Sequence, residues 1–246
     1  MSAIGTSFGT AAGDYEKGRP GYPPEAVAWI LGQAPLRVLD AGAGTGKLTA
    51  EVLRRGHEVI ALDPDAAMLE ALSRSVPGVE TRVGAAEATG LPASSVDAVV
   101  FGQAWHWVDV AEASAEMARI LRPGGVLGLI WNIRDESVPW VARLTEVMHG
   151  SAAEQLLAGS GPTVGVPFGP LEHRAFNWAR EMTADELVAM ARSRSYYITG
   201  NDANRARTDA GIVDLMSTLP ALAKYDRIDL PYVTHGFRVR RPNVEG

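Results

Sequence analysis

Val38-Leu39-Asp40-Ala41-Gly42-Ala43-Gly44-Thr45-Gly46 is an apolar strand running into a loop with glycine at every second position. Three nucleotide-sized readings compete for such a loop, and spacing separates them. A P-loop needs G-x-x-x-x-G-K-[ST]. Gly46-Lys47 supplies its terminal pair, but Ala41 stands at the first glycine and Leu48 replaces the magnesium-binding hydroxyl. A nicotinamide or flavin fingerprint needs G-x-G-x-x-G. Counting from Gly42 and Gly44, its third glycine falls on Lys47. What remains is Asp40 followed by G-x-G-x-G, a loop whose backbone admits a ligand closely without being built to cradle phosphates.

On either side of this loop, short apolar runs alternate with helical patterns. Val38-Leu39, Val59 to Leu62, Val79 to Val83, Val96 to Phe101 and Val126 to Trp131 form a rhythm that predicts five strands of a parallel sheet. Leu48, Val52 and Leu53 share one side of a crossover helix that ends in Arg54-Arg55 with Gly56 at C′. Ala111 to Leu121 is a second such helix, and Arg122-Pro123-Gly124-Gly125 predicts a turn before the fifth strand.

Residues 1–24 are rich in Gly, Pro and Tyr and read as an arm leading into a helix with Val27, Ile30 and Leu31 on one face. Beyond Asn132 the pattern predicts a helix from Pro139 to His149, a Gly/Pro-rich passage from Gly159 to Pro170 and a strand from Arg174 to Trp178. Thr183 and Glu186 form a capping box that starts a further helix. Another helix follows near Asn204 to Leu215, and a final strand runs from Ile228 to Arg240. Residues 1–246 therefore read as one domain, with 183–225 a helical cap inserted between the last two strands.

Apolar residues make up 46% of the chain, which excludes a disordered one. With 23 Lys+Arg against 29 Asp+Glu the net charge is −6, so no global positive field draws the protein to nucleic acid. Arg238, Arg240 and Arg241 read as a solvated strand face. The absence of cysteine removes thiolate metal sites and suits a reducing cytosol, so a cytoplasmic location and no metal are the expectations. No window approaches a membrane span, and neither a membrane nor a nucleic-acid partner is expected.

Asp40 with its G-x-G-x-G loop resembles motif I of class I S-adenosylmethionine-dependent methyltransferases. Three further stretches carry the same resemblance across about residues 8–135. Asp63-Pro64-Asp65-Ala66-Ala67-Met68-Leu69 is similar to the family's segment after strand two, and Gly84-Ala85-Ala86-Glu87-Ala88-Thr89-Gly90-Leu91-Pro92 to its adenine-side motif. Asp97 to Trp107 and Arg119 to Leu127 resemble the strand-four and strand-five signatures. The resemblance implies a Rossmann-like, seven-stranded, mostly parallel sheet flanked by helices, with S-adenosylmethionine as cofactor. Gly42, Gly44 and Gly46 would then approach the donor, and Asp40 would face its ammonium end. Asp63 would accept the ribose hydroxyls, and Met68 would pack beside adenine or belong to the core. Ala86, Glu87 and Gln103 complete the donor side. Family members often have aspartate where this chain has Ala85, so a contact to the adenine amino group comes from Glu87, from a backbone carbonyl, or from nothing.

Tyr15-Glu16-Lys17-Gly18-Arg19-Pro20-Gly21-Tyr22-Pro23 is similar to an arm in a small-molecule branch that includes trans-aconitate methyltransferases. There it implies a lid, with Arg19 on the donor carboxylate and Tyr15 nearby, or a structural role for both.

Ligands of open α/β sheets sit beyond the carboxyl ends of the strands, so Asp40, Asp63, Glu87, Gln103 and Trp131 should converge. Methyl transfer from a sulfonium requires alignment more than a nucleophilic triad. His106, between Trp105 and Trp107, is a candidate general base or a packing residue. Arg134 suits an acceptor carboxylate, and Trp105, Trp107, Trp131 and Tyr196 are candidate acceptor contacts. The reading is methyl transfer to a small-molecule acceptor, an organic acid carboxylate or a hydroxyl. A non-catalytic binder of S-adenosylmethionine or S-adenosylhomocysteine and a nucleotide-dependent oxidoreductase are the alternatives, and a homodimer stays open.

Overall fold

The structure is a computed structural model, described here for residues 20–32, 35–148, 150–193, 195–219 and 226–243. Tyr15, Arg19, the arm up to residue 19 and residues 220–225 of the expected cap lie outside the described residues. The chain opens with α1 (Pro24–Leu31), β1 (Arg37–Ala41), α2 (Lys47–Arg54), β2 (Glu58–Asp63), α3 (Ala66–Ser75) and β3 (Glu80–Val83). It continues with β4 (Val96–Gly102), a 3-10 turn (Trp105–Trp107), α4 (Val110–Ile120) and β5 (Leu121–Arg134). After these come α5 (Pro139–Met148), α6 (Ala152–Ala158), β6 (Glu172–Thr183), α7 (Ala184–Arg192), α8 (Ser195–Thr199), α9 (Asp202–Ser217) and β7 (Arg227–Arg240).

The described residues form one seven-stranded sheet in the order β3-β2-β1-β4-β5-β7-β6. Neighbours pair in parallel from β3 to β5, and β7 runs antiparallel to both β5 and β6. The Rossmann-like fold expected from the sequence is therefore present, with α7, α8 and α9 inserted between the last two strands. Central strands are apolar on both sides because helices cover both faces. Alternation sends Leu39, Val99, Leu127 and Leu129 into one core against Met117 and Ala113 of α4. Val38, Ala98, Val100 and Ile130 enter the other, against Val27 and Ile30 of α1 and Leu48 and Val52 of α2. Each such fully buried Val or Leu contributes about 1.5–3 kcal/mol. A third core joins Val141 and Leu144 of α5, Leu187 and Met190 of α7 and Ile212 and Leu215 of α9 to Leu230 and Tyr232 of β7.

Local signals set several boundaries. Thr183 Oγ1 accepts from the Glu186 amide at 3.2 Å and Glu186 Oε2 from the Thr183 amide at 2.8 Å, the capping box that starts α7. Gly56 takes φ +83° just past the end of α2, as a C′ glycine does.

Elsewhere the structure corrects the expectation. Arg122-Pro123-Gly124-Gly125 lies inside β5 as a bulge: Val96 pairs with Leu121, but Ala98 pairs with Val126. Gly124 and Gly125 exchange backbone hydrogen bonds with Arg241, at 3.1 and 2.8 Å, and so extend the ladder instead of turning away from it. The arginine cluster, with Arg240 exposed and Arg238 and Arg241 half-buried, also makes contacts across the fold. Arg238 lies over the Trp29 ring at 4.4 Å and donates to the Trp29 carbonyl, Arg240 donates to the Gly124 carbonyl, and Arg241 to the Leu121 carbonyl. These guanidiniums fasten α1 and the bulge to β7.

Candidate active site

At the carboxyl ends of β1, β4 and β5 a cleft is lined by Tyr22, Asp40, the loop from Gly42 to Thr45, Lys47, Gln103, Asn132 and Tyr232. The loop is built on positive φ at Gly42 (+70°), Gly44 (+54°) and Gly46 (+87°), which side-chain-bearing residues rarely adopt. A Cβ on Gly42 would lie 2.6 Å from that of Ala104, and one on Gly46 would lie 2.8 Å from Leu72. Gly44 differs, since nothing stands within 4 Å of its Cβ position. Two glycines therefore allow close packing behind the loop, and the third leaves open space in front of it.

Asp40 is fully buried, and Thr49 of α2 donates to its Oδ2 at 2.6 Å. Its Oδ1 is buried with no hydrogen-bond partner among the described residues. Burial raises its pKa to about 7, with the neighbouring Asp63 adding to the rise and Thr49 opposing it. A buried carboxylate with one vacant oxygen in a cleft suits a small cation.

Asp63, at the end of β2, accepts the Gly44 amide at 2.8 Å on Oδ2 and the Asp65 amide at 2.9 Å on Oδ1. Burial lifts its pKa, and the two amides pull the other way. Its first task is to hold the loop. Each oxygen keeps a second lone pair, so a hydroxyl contact remains compatible. Met68 is buried in the first turn of α3, and Ala86 lies in the core beside Leu62 and Leu91. Glu87 Oε1 accepts the Asp109 amide at 3.0 Å, tying the segment after β3 to the start of α4.

The methyltransferase-domain family profile matches residues 39–129. An uncharacterized methyltransferase of Mycobacterium tuberculosis H37Rv is 45% identical over 93% of both chains. A second, of Schizosaccharomyces pombe, is 34% identical over 94% of this chain and 95% of its own. Among solved structures, a putative type II methyltransferase from Anaeromyxobacter dehalogenans is similar with a TM-score of 0.67 and 25% identity, over 92% of this chain and 99% of that one. The chain belongs to the class I S-adenosylmethionine-dependent methyltransferases.

Gln103, expected on the donor side, holds φ +57° and donates from Nε2 to the Asn132 carbonyl at 2.9 Å. A non-glycine residue in that region at a strand end is strained, as residues at functional sites often are. The three tryptophans separate. Trp105 is 1% exposed, edge-on to Phe101 at 4.8 Å, with its indole N–H on the Thr163 carbonyl. Trp131 is fully buried, and both rings sit in the core. Trp107 alone is exposed, at 49%.

His106, expected as a general base or a packing residue, accepts the Trp131 Nε1–H on Nδ1 at 3.3 Å, which leaves the proton of the neutral ring on Nε2.

Arg134 is buried, with Nε on Thr145 Oγ1 at 3.1 Å and Nη2 2.8 Å from Glu154 of α6. An internal carboxylate thus already faces the guanidinium that was expected to hold an acceptor's. Tyr196 lies half-buried on α8 and does not line the cleft.

Thr49, Asn132, Tyr22 and Tyr232 were not singled out by sequence. Thr49 alone left a trace, sharing the strand-facing side of α2 with Val52. The other three reach the cleft only through strand pairing and the path of the arm.

Proposed function

We propose that the cleft binds S-adenosylmethionine through its amino-acid half and that the enzyme methylates a small-molecule acceptor. The observation that carries this reading is the buried, unpartnered Oδ1 of Asp40 in a cleft that Gly44, with open space at its Cβ position, also lines. The ionised Asp40 pairs with the ammonium, and Thr49 fixes the rotamer in which it does so. Gly44 lets the backbone approach the chain that leads to sulfur, and Asp63 keeps the loop in that shape while turning spare lone pairs to the ribose. Bound there, S-adenosylmethionine supplies a sulfonium methyl group for in-line displacement.

The protein's remaining work is alignment and exclusion of water, for which Tyr22, Gln103, Asn132 and Tyr232 wall the cleft. An acceptor carboxylate needs no base, since it is ionised at neutral pH. The net charge of −6 opposes a polyanionic acceptor and favours a small one.

Calorimetry with S-adenosylhomocysteine, and transfer from labelled donor across a panel of carboxylic acids, phenols, amines, RNA and protein, test both halves. Binding that Asp40→Asn weakens by about tenfold or more, with label in a small acceptor, is the expected result. Tight binding with no label transferred to anything would make the protein a sensor. Failure to bind would remove the donor assignment.

A further inference from the structure

Asn132 sits at the carboxyl end of β5, 8% exposed, and three elements meet on it. Thr234 Oγ1 of β7 donates to its Oδ1 at 2.6 Å. Its own Nδ2 donates to the Gly21 carbonyl at 2.9 Å, across 111 residues of sequence, and its backbone carbonyl accepts Gln103 Nε2. Behind Thr234, Trp178 Nε1 of β6 donates to the same hydroxyl at 2.8 Å.

These bonds have one possible polarity. The Gly21 carbonyl can only accept, so the amide end that faces it is NH2 and the oxygen faces Thr234. The indole N–H can only donate, so it takes a lone pair of Thr234 and leaves the hydroxyl proton free for that oxygen. The relay runs Trp178 to Thr234 to Asn132 to Gly21, and Thr234 at its centre is fully buried, where such a chain is strongest. Beyond Gly21, the Tyr22 hydroxyl rests on Gly102, where a Cβ would stand 2.7 Å from it. Pro20 and Tyr22 wall the cleft on that side.

We infer that Asn132 is a positioning residue that latches the segment from Pro20 to Tyr22 over the donor cleft, with Thr234 and Trp178 supporting it. The inference rests on the donor occupying this cleft, so binding of S-adenosylhomocysteine to the wild-type full chain is measured first. No binding there removes the donor reading and this latch together.

Given wild-type binding, Asn132→Ala is expected to raise the dissociation constant about tenfold, the loss of one well-made hydrogen bond. Asn132→Asp is the sharper variant. Its carboxylate still accepts from Thr234 but cannot donate to Gly21, so the latch makes binding at least as weak as in Asn132→Ala. A residue that touched the donor ammonium directly would instead bind it tighter as aspartate.

Thr234→Val keeps shape and removes the relay, and is expected to weaken binding about three- to tenfold. Combined with Asn132→Ala it should add nothing further, because both break one chain. Trp178→Phe tests the first link in the same way, with a smaller effect of the same sign. Full additivity of the Thr234 and Asn132 changes, unaltered affinity in Asn132→Ala, or tighter binding in Asn132→Asp would each overturn the latch.

Discussion

In the proposed reading single residues carry the donor chemistry, and Gly44 is the most exposed to test. Valine there must adopt φ +54°, at about 1–2 kcal/mol, and projects its branches into the open space of the cleft. S-adenosylhomocysteine affinity should fall about a hundredfold, while the urea midpoint moves little beyond the strain. A dissociation constant within threefold of wild type would mean that the loop faces something else.

Asp63→Asn separates the structural task from the binding one. An amide has a single acceptor oxygen, so either the Gly44 or the Asp65 N–H loses its partner, costing about 1–3 kcal/mol in the urea-derived stability of the ligand-free protein. An unchanged urea curve would show that the loop does not depend on this carboxylate. At this scale the sequence was readable where spacing encodes geometry, as with Asp40 and the three glycines. It is silent where packing decides: nothing in Trp105-His106-Trp107 tells which ring turns inward, and the hydrogen bond to His106 Nδ1 comes from a tryptophan 25 residues away.

Elements were legible in proportion to how strictly their burial imposes a period. The central strands and the crossover helices repeat every two or every 3.6 residues, and their cores alternate accordingly. β6 is an edge strand with mostly exposed residues, so only its middle, Arg174 to Trp178, stood out from the twelve that form it. The short α6 and α8 lack such a period, although Ser151 and Glu154 form a capping box at the start of α6. The proline and glycines of β5 read as a turn because the bonds that keep them in the ladder come from Arg241, more than a hundred residues later.

The packing of α1 on β5 gives the prediction at this scale. A Cβ on Gly128 would stand 2.3 Å from Ile30 Cγ2, so Gly128→Ala must push α1 off the sheet. A loss of about 1–3 kcal/mol is expected by urea unfolding. Ile30→Ala in the same chain should cost less than it does alone, since the new methyl group fills part of the space it leaves. Strict additivity would show that the two residues do not touch.

For the whole molecule, the order of the strands places one family's motifs along a single edge, and this was legible because chain order and handedness leave few alternatives. Helices between the last two strands were legible as such, but the core that joins α5 to α7 and α9 was not, because α9 has no continuous apolar face in sequence. The balance of buried charge is likewise a property of the assembled molecule, and its consequence is a pH dependence of opposite sign in the free and the liganded protein. Asp40 is held at about 7 in the folded chain against 3.8 for an unperturbed carboxyl. The folded state therefore binds the extra proton, and this group's contribution to stability is present below about pH 4 and lost as pH rises through 7. His57 and His235, lowered mainly by burial, contribute in the other direction as pH rises through their range. They lie outside the cleft, so the pH dependence of the thermal shift on adding S-adenosylhomocysteine reports the buried carboxylates Asp40 and Asp63, and Asp40→Asn separates the two. An ammonium on Oδ1 requires the carboxylate, and the dissociation constant should fall about tenfold between pH 6 and pH 8 and then level off. At a ligand concentration one hundred times the pH 8 constant, stabilisation of about 2.7 kcal/mol at pH 8 should shrink to about 1.4 kcal/mol at pH 6. Asp40→Asn, which cannot ionise, should flatten this dependence as well as weaken binding. A thermal shift that is constant across the range in the wild-type protein, or larger at pH 6, would mean that the vacant oxygen of Asp40 does not receive the ligand's cation.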